Sequence, residues 1–363
     1  MTAMGDRTIL AFVAVRAAGG LGRLDMDEVR WGVIGCGDVT EVKSGPGFQQ
    51  AAGSSLVAVM RRDGAKAADY ARRHGVPRWY DRALDLIRSP AVNAVYVATP
   101  PSSHCELAIE VAAAGKPCLV EKPMARGYGE CLTMLEAFRA AGVPLFVAYY
   151  RRALPRFLKV RELLKEGRVG KLTSVRICLH DRLASGDRVS GWRFDPVVAG
   201  GGLLFDVGSH GIDLLDFFCG PIGAATGFAV NSGAAYEPED VTAACFEFES
   251  GVVGTGIWNF NADQVEDEIA LTGTRGSIRV PVFADGSVVV ECNGAVENLP
   301  FRNPVHVHGP LIQSVVDELL GRGTCESTGV SGARASRVME LCVRGYYDGR
   351  RSKQPRHSNP GAC

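Results

Sequence analysis

Through about the first 150 residues, short unbroken apolar runs alternate with stretches of helical spacing. Val29 to Ile34 (VRWGVI), Ser55 to Met60 (SLVAVM), Ala94 to Ala98 (AVYVA), Pro117 to Val120 and Leu145 to Tyr150 (LFVAYY) read as buried strands. Between them, Ala65 to His74, Ser103 to Ala114 and Arg126 to Ala141 have helical spacing, and each ends at a glycine: Gly75, Gly115 and Gly142. Continuous apolar strands alternating with helices predict an α/β fold whose parallel sheet is covered on both faces.

The texture changes after Tyr150. Leu154 to Glu166 predicts one amphipathic helix, Leu172 to Leu179 a strand, and Leu203 to Phe218 a second helix. From Thr226 to about Val290 come strand-like runs (GFAV, TAACFEF, VVGTGIWNF, EIALTG, SIRVPV, SVVV) broken by turns such as Thr274-Arg275-Gly276 and Asp285-Gly286. Their hairpin-length spacing predicts a largely antiparallel sheet. Two helices follow, near Val307 to Leu320 and Ala333 to Tyr347. The pattern divides the chain into an N-terminal extension (1–25), a first α/β domain (26–150), a second α/β domain (151–349) and a basic, polar tail (350–363) expected to be disordered.

Composition narrows the classes. Of 363 residues 46% are hydrophobic and 22% charged, with a formal net charge of +0, so no basic field points to nucleic acid or anionic lipid as partners. The 11 cysteines form no CxxC pair, which favours reduced thiols in a cytoplasmic setting over a disulfide framework. No long uncharged apolar run predicts a membrane span. Thr8 to Ala18 (TILAFVAVRAA) is apolar but interrupted by Arg16; it reads as part of an extension, with a targeting segment as the other possibility.

Gly35-Cys36-Gly37 lies between a strand and a helix, the context that gives a glycine fingerprint meaning. Gly35 permits the tight turn, Gly37 lets the backbone approach a pyrophosphate, and Asp38 and Val39 open the following helix. The third glycine position is Thr40. Where an acidic residue would bind the ribose of NAD, the second strand ends in Met60-Arg61-Arg62-Asp63. Two guanidiniums there suit a 2′-phosphate and favour NADP(H) over NAD(H), with Asp63 as a helix cap. Cys36 reads as a small packed residue. His306 and His308 (HVH) have no third ligand nearby, so no metal is assigned to them.

Three further segments resemble the glucose–fructose oxidoreductase / inositol dehydrogenase (Gfo/Idh/MocA) family. They are Ala98-Thr99-Pro100-Pro101-Ser102-Ser103-His104, the run Ala114-Gly115-Lys116-Pro117 leading to Glu121-Lys122-Pro123, and Gly200-Gly201-Gly202-Leu203-Leu204-Phe205-Asp206-Val207-Gly208-Ser209-His210. Thr40 departs from the family's glycine motif. The resemblance implies a Rossmann domain followed by an α/β domain with an open, mainly antiparallel sheet, often used for oligomerisation. It implies Lys122, Asp206 and His210 as the catalytic set, and Thr99, Pro100, His104, Glu121 and Lys122 near the cofactor. Trp192 and Arg193 are implied beside the nicotinamide or substrate.

The residue types suit that chemistry. Hydride transfer from an alcohol needs a group to take the hydroxyl proton and another to polarise the oxygen. Lys122 follows a parallel strand at its carboxyl end, where open α/β sheets bind ligands. Asp206, His210 and Asp213 are spaced to share a helix face, which predicts a carboxylate beside the imidazole and a raised imidazole pKa. Tyr149, Tyr150, Arg151 and Arg152 leave the last Rossmann strand toward the cleft, with Tyr150 and Arg152 as substrate contacts. The expectation is an NADP(H)-dependent oxidoreductase acting on a polyhydroxylated small molecule: a sugar, a polyol or a trans-dihydrodiol. A cofactor-binding sensor of the same fold and a scaffold protein are the rivals. The open sheet predicts a homodimer or homotetramer.

Overall fold

The computed structural model describes residues 26–182 and 191–351. The extension at 1–25 and the tail beyond Arg351 lie outside the described residues. The first sheet has six parallel strands: β1 (Val29–Ile34), β2 (Ser54–Met60), β3 (Arg78–Tyr80), β4 (Ala94–Val97), β5 (Cys118–Val120) and β6 (Leu145–Val147), in the order β3-β2-β1-β4-β5-β6. This doubly wound order reverses between β1 and β4, which opens a ligand crevice at the carboxyl ends of those strands. β4 and β5 are buried at every position, because helices cover both faces. The helices of this unit are α1 (Asp38–Val42), α2 (Gly45–Gln50), α3 (Gly64–His74), α4 (Ala83–Arg88), α5 (His104–Ala113) and α6 (Tyr128–Ala141).

Helix α7 (Pro155–Lys165) leads into the second sheet. Its strands are β7 (Leu172–His180), β8 (Ile222–Val230), β9 (Val241–Phe248), β10 (Val253–Asn259), β11 (Glu266–Gly273), β12 (Gly276–Val280), β13 (Gly286–Cys292) and β14 (Ala295–Phe301), in the order β14-β13-β12-β11-β7-β10-β9-β8. Every pairing is antiparallel except β7 with β10. Burial alternates along β9 and β10, so one face packs on helices and the other stays open. Phe228 on β8 (84% exposed) and Val253 on β10 (56% exposed) have unburied side chains.

Between β7 and β8, a π-helical turn (Leu204–Gly208) runs into α8 (Ser209–Cys219), of which every residue is buried. The single α-helix expected from Leu203 is therefore broken by a wider turn, and that turn carries Asp206. Helix α9 (Gly309–Leu319) follows β14, and α10 (Gly329–Arg351) packs on α6 and β6 of the first unit and on β8 of the second.

Candidate active site

The glycine turn fits a pyrophosphate-bearing cofactor. Gly35 has φ +93°, and a Cβ there would lie 2.8 Å from the carbonyl oxygen of Ala98, so the turn requires glycine. A Cβ at Gly37 would meet only the carbonyl of Gly35, at 3.9 Å, which leaves open space beside the main chain. Thr40 is fully buried and donates to the carbonyl of Gly37 at 2.7 Å, so the residue that departs from the fingerprint braces the turn. Asp38 is exposed and Val39 half-buried at the head of α1. Cys36 is buried, and burial raises its thiol to about 11, in keeping with a packed residue. Arg61 and Arg62 are exposed at the end of β2, with an Arg61 nitrogen 3.4 Å from the carbonyl oxygen of Cys36. Asp63 caps α3 by accepting from the N–H of Lys66.

Thr99 and Pro100 follow β4 across the crevice from this turn. His104, expected beside the cofactor, is fully buried. Its ring nitrogens lie 2.7 Å from the carbonyl oxygen of Thr99 and 3.1 Å from that of Pro123, so it ties two loops together. Glu121 is likewise buried, and its carboxylate accepts from the Tyr96 hydroxyl and, at 3.0 Å, from the N–H of Lys122.

Lys122 follows β5 at its carboxyl end, and its peptide bond to Pro123 is cis. Its ammonium donates to Oδ1 and to the carbonyl oxygen of Asp206, each at 2.6 Å. Arg193 reaches the other oxygen of Asp206 at 3.1 Å and stacks over Trp192. Burial pushes the Asp206 carboxyl up, but Lys122 and Arg193 outweigh it and hold the group below its usual range. Main chain packs closely against the glycines ahead of this turn. A Cβ at Gly200 would fall 2.2 Å from the Arg126 carbonyl, and one at Gly202 would fall 2.3 Å from that of Glu239.

His210 stands one turn further along, 4% exposed. Its ring meets Tyr150 at 5.2 Å, Phe283 at 5.8 Å and Tyr149 at 6.0 Å, all edge-on, and its Nδ1 has no hydrogen-bond partner among the described residues. The expected raised pKa is overturned. Asp206 turns to Lys122 and Arg193, so burial dominates at the imidazole, and the positive charges of Arg151, Lys122 and Lys43 add to it. The pKa falls well below the ordinary histidine value and the ring stays neutral.

Asp213 and Arg152 are also corrected. Arg152, expected to touch substrate, is 5% exposed; its Nε donates to Asp213 at 2.9 Å and an Nη reaches Asp216 at 2.9 Å, with Arg334 completing the group at 2.7 Å. Charges this deep demand partners, and these partners lie inside the fold.

Folding also brings in a residue that the sequence marked only as half of an HVH pair. His308 is buried in the turn before α9, stacks on Tyr150 at 4.5 Å and 27°, and has Nδ1 3.7 Å from Glu121. Burial, then Lys43 and Lys122, lower its pKa to about 3. His306 faces the carbonyl of Val42 at 2.7 Å, so the two histidines do not share a ligand position. Among the described residues, one grouping outside this site has metal-ligand chemistry: Cys178, His180 and Glu266, on β7 and β11. A cavity of about 690 Å³, lined by residues including Arg126, Glu130, Glu340 and Tyr347, is separate from Lys122, Asp206 and His210.

Residues 29–149 match an oxidoreductase family with an NAD-binding Rossmann fold, and residues 157–279 match the GFO/IDH/MocA C-terminal domain. Oxidoreductase P35 of Formosa agariphila is 37% identical over 321 residues, covering 86% of this chain and 98% of that protein. Bovine (Bos taurus) trans-1,2-dihydrobenzene-1,2-diol dehydrogenase is 26% identical, covering 72% and 78%. The structure of a levoglucosan dehydrogenase in complex with NADH and levoglucosan superposes with a TM-score of 0.79 at 22% identity, covering 88% and 98%, a likeness of fold. With both halves matched and the Lys122, Asp206 and His210 motifs in order, the chain belongs to the GFO/IDH/MocA family of oxidoreductases.

Proposed function

We propose that this oxidoreductase uses NADP(H) in preference to NAD(H), and acts on a secondary alcohol or carbonyl of a sugar, a polyol or a trans-dihydrodiol. The observation that carries the reading is the Lys122–Asp206 ion pair at the carboxyl edge of the parallel sheet, set beside a buried, neutral His210. Gly35, Gly37, Asp38 and Val39 would hold the pyrophosphate, Thr99 and Pro100 would flank the cofactor, and Arg61 and Arg62 would take a 2′-phosphate. Bound there, the nicotinamide would supply or accept the hydride.

The protein's own part is proton handling and charge placement. Asp206 holds the Lys122 ammonium in position, from which it can donate to the reacting oxygen and stabilise charge growing there. His210, neutral and desolvated, can take a hydroxyl proton and return it in the reverse direction. Tyr150, Trp192 and Arg193 line the substrate side. The relatives support a polyhydroxylated ligand: a 1,5-anhydro-D-fructose reductase and dihydrodiol dehydrogenases by sequence, and a levoglucosan dehydrogenase by fold.

In this reading residues 26–150 bind the cofactor and 151–349 bind substrate. The open sheet face, with Phe228, Val253 and Ile257 exposed, joins a second copy in a homodimer or homotetramer. The ten described cysteines are all free, in keeping with a reducing, cytoplasmic setting, and no described helix is long and apolar enough to cross a membrane.

A panel of sugars, polyols and trans-dihydrodiols, followed by the absorbance of reduced nicotinamide, tests the proposal. Turnover should appear and fall at least a hundredfold in His210→Ala. A His210→Ala variant with near wild-type kcat sinks the assignment, and cofactor binding without turnover of any panel member favours the sensor reading.

A further inference from the structure

Arg151 follows Tyr150 on a 3-10 turn (Tyr150–Ala153) and is 4% exposed, and its guanidinium makes no hydrogen bond or ion pair with any described residue. Its contacts are aromatic: the guanidinium carbon lies 4.2 Å from the ring centre of Phe283 and 5.0 Å from that of Tyr150. Both rings also border His210. A buried arginine without a counter-ion works against folding, and stacking on rings recovers only part of the lost hydration.

The neighbouring carboxylates are all engaged elsewhere. Asp267, the carboxylate whose charge favours Arg151, accepts from the N–H groups of Val282, Phe283 and Ala284 at 2.7, 2.7 and 2.8 Å. Asp206 is held by Lys122 and Arg193, and Glu121 by Tyr96 and the Lys122 N–H. Arg156 adds a second positive charge near Arg151 rather than a compensating one. Around His210 the charged groups Lys43, Lys122, Arg151 and Arg193 stand against Glu121 and Asp206, so the site holds more positive charge than negative.

We infer that Arg151 receives an anionic substituent of the substrate, and that the substrate is an acidic sugar or polyol whose carboxylate lies beside the reacting carbon. The inference rests on the oxidoreductase reading of this site and narrows its substrate class. With ring faces against it, the guanidinium offers its planar edge. A planar carboxylate matches that edge with two parallel hydrogen bonds and is then satisfied, whereas a phosphate met by the same two bonds keeps a further charged oxygen that needs another donor.

The test pairs each acid with its neutral counterpart: D-glucuronate with D-glucose, D-galacturonate with D-galactose, and D-gluconate with D-glucitol, plus D-glucose 6-phosphate. Calorimetric binding to the cofactor-saturated enzyme is measured beside kcat/KM. At least one acid should exceed its neutral partner tenfold or more in affinity and, where turned over, in kcat/KM. In Arg151→Met that ratio should fall toward one, Arg151→Lys should keep part of it, and the ligand-free Met variant should melt higher than wild type. No preference for any acid, or a preference that survives Arg151→Met, overturns the inference. Tighter binding of glucose 6-phosphate than of every carboxylate overturns the carboxylate assignment. Acid binding that depends on Arg151, without turnover of any compound, overturns the dehydrogenase reading and leaves the anion subsite standing. The wild-type comparison needs no variant, so a misfolded substitution does not shield the idea.

Discussion

Lys122 grips Asp206 twice, donating at 2.6 Å to its carboxylate and at 2.6 Å to its main-chain carbonyl. The side-chain bond positions charge, and the main-chain bond clamps the π-helical turn to the first sheet. Lys122→Met should therefore lower kcat about 10²–10³-fold, the range seen when one preorganised donor is removed. Asp206→Asn keeps the main-chain bond and should cost less, roughly tenfold, with the loss shared between kcat and KM. Steady-state kinetics on a turned-over substrate checks both; equal effects would mean that the carboxylate charge, not the donor, governs the step.

Arg61 and Arg62 offer two exposed guanidiniums beside the glycine turn, while Asp63 is engaged as a helix cap. Each charge-assisted bond to a 2′-phosphate contributes on the order of 1.5–3 kcal/mol. Replacing both arginines with alanine should weaken NADPH binding by about 10²-fold or more and NADH binding only a few-fold. Fluorescence titration of the reduced cofactors measures this directly. A wild-type enzyme that binds NADH more tightly, and stays so in the double variant, removes the NADP(H) preference.

Arg152 shows how a neighbour of the site can belong wholly to the scaffold. Arg152→Met would leave Asp213 and Asp216 with only Arg334 to offset them in a buried setting. Breaking such a group costs about 3–5 kcal/mol. The denaturation midpoint should drop accordingly, while KM measured well below the transition should hold. A KM change without loss of stability would return Arg152 to the substrate site.

Glu239 carries a pH signature. It is 1% exposed, accepts from the Gly202 N–H at 3.0 Å and the Tyr347 hydroxyl at 2.6 Å, and burial lifts its carboxyl to about 7. Because the folded pKa lies above the unfolded value of 4.5, its contribution is complete below 4.5 and declines as pH rises toward 7. Glu239→Gln cannot lose a proton there. Its stability relative to wild type should rise across that window by up to on the order of 3 kcal/mol. Asp213, raised to about 6 by burial, slopes the same way. His210 and His308, with lowered values, slope oppositely by losing stability as pH falls. All three persist in the variant, so the difference curve isolates Glu239; a flat one would show that the carboxyl is ionised throughout.

Much of the architecture was readable from periodicity because buried strands leave little choice of residue: β1, β2, β4, β5 and β6 all appear as apolar runs. The strands that escaped notice sit at sheet edges. β3 is three residues, two of them exposed, and β14 (AVENLPF) mixes Glu, Asn and Pro into a strand that pairs on one side only. In the site, Lys122, Asp206 and His210 stood out because each sits in a local motif. Of the adjacent Arg151 and Arg152 the sequence favoured Arg152 for substrate, whereas the 3-10 turn sends Arg151 to an aromatic wall and Arg152 into an ion-pair cluster. Phe283 carries no local signal at all, and His308 stood out only as half of an HVH pair; they join Tyr150 and His210 through packing between segments far apart in the chain.

Helix α10 has a mechanical consequence. Just ahead of it, Ser327 donates to the Val147 carbonyl at 2.7 Å and Thr328 bridges to Phe146, while Glu340 within it accepts from the N–H of Tyr128. Its other flank lies along β8. The last helix thus splints the two sheets, and any wide hinge opening would have to tear out these bonds together. Ligand exchange that moves only side chains and short segments at the mouth would leave these bonds intact.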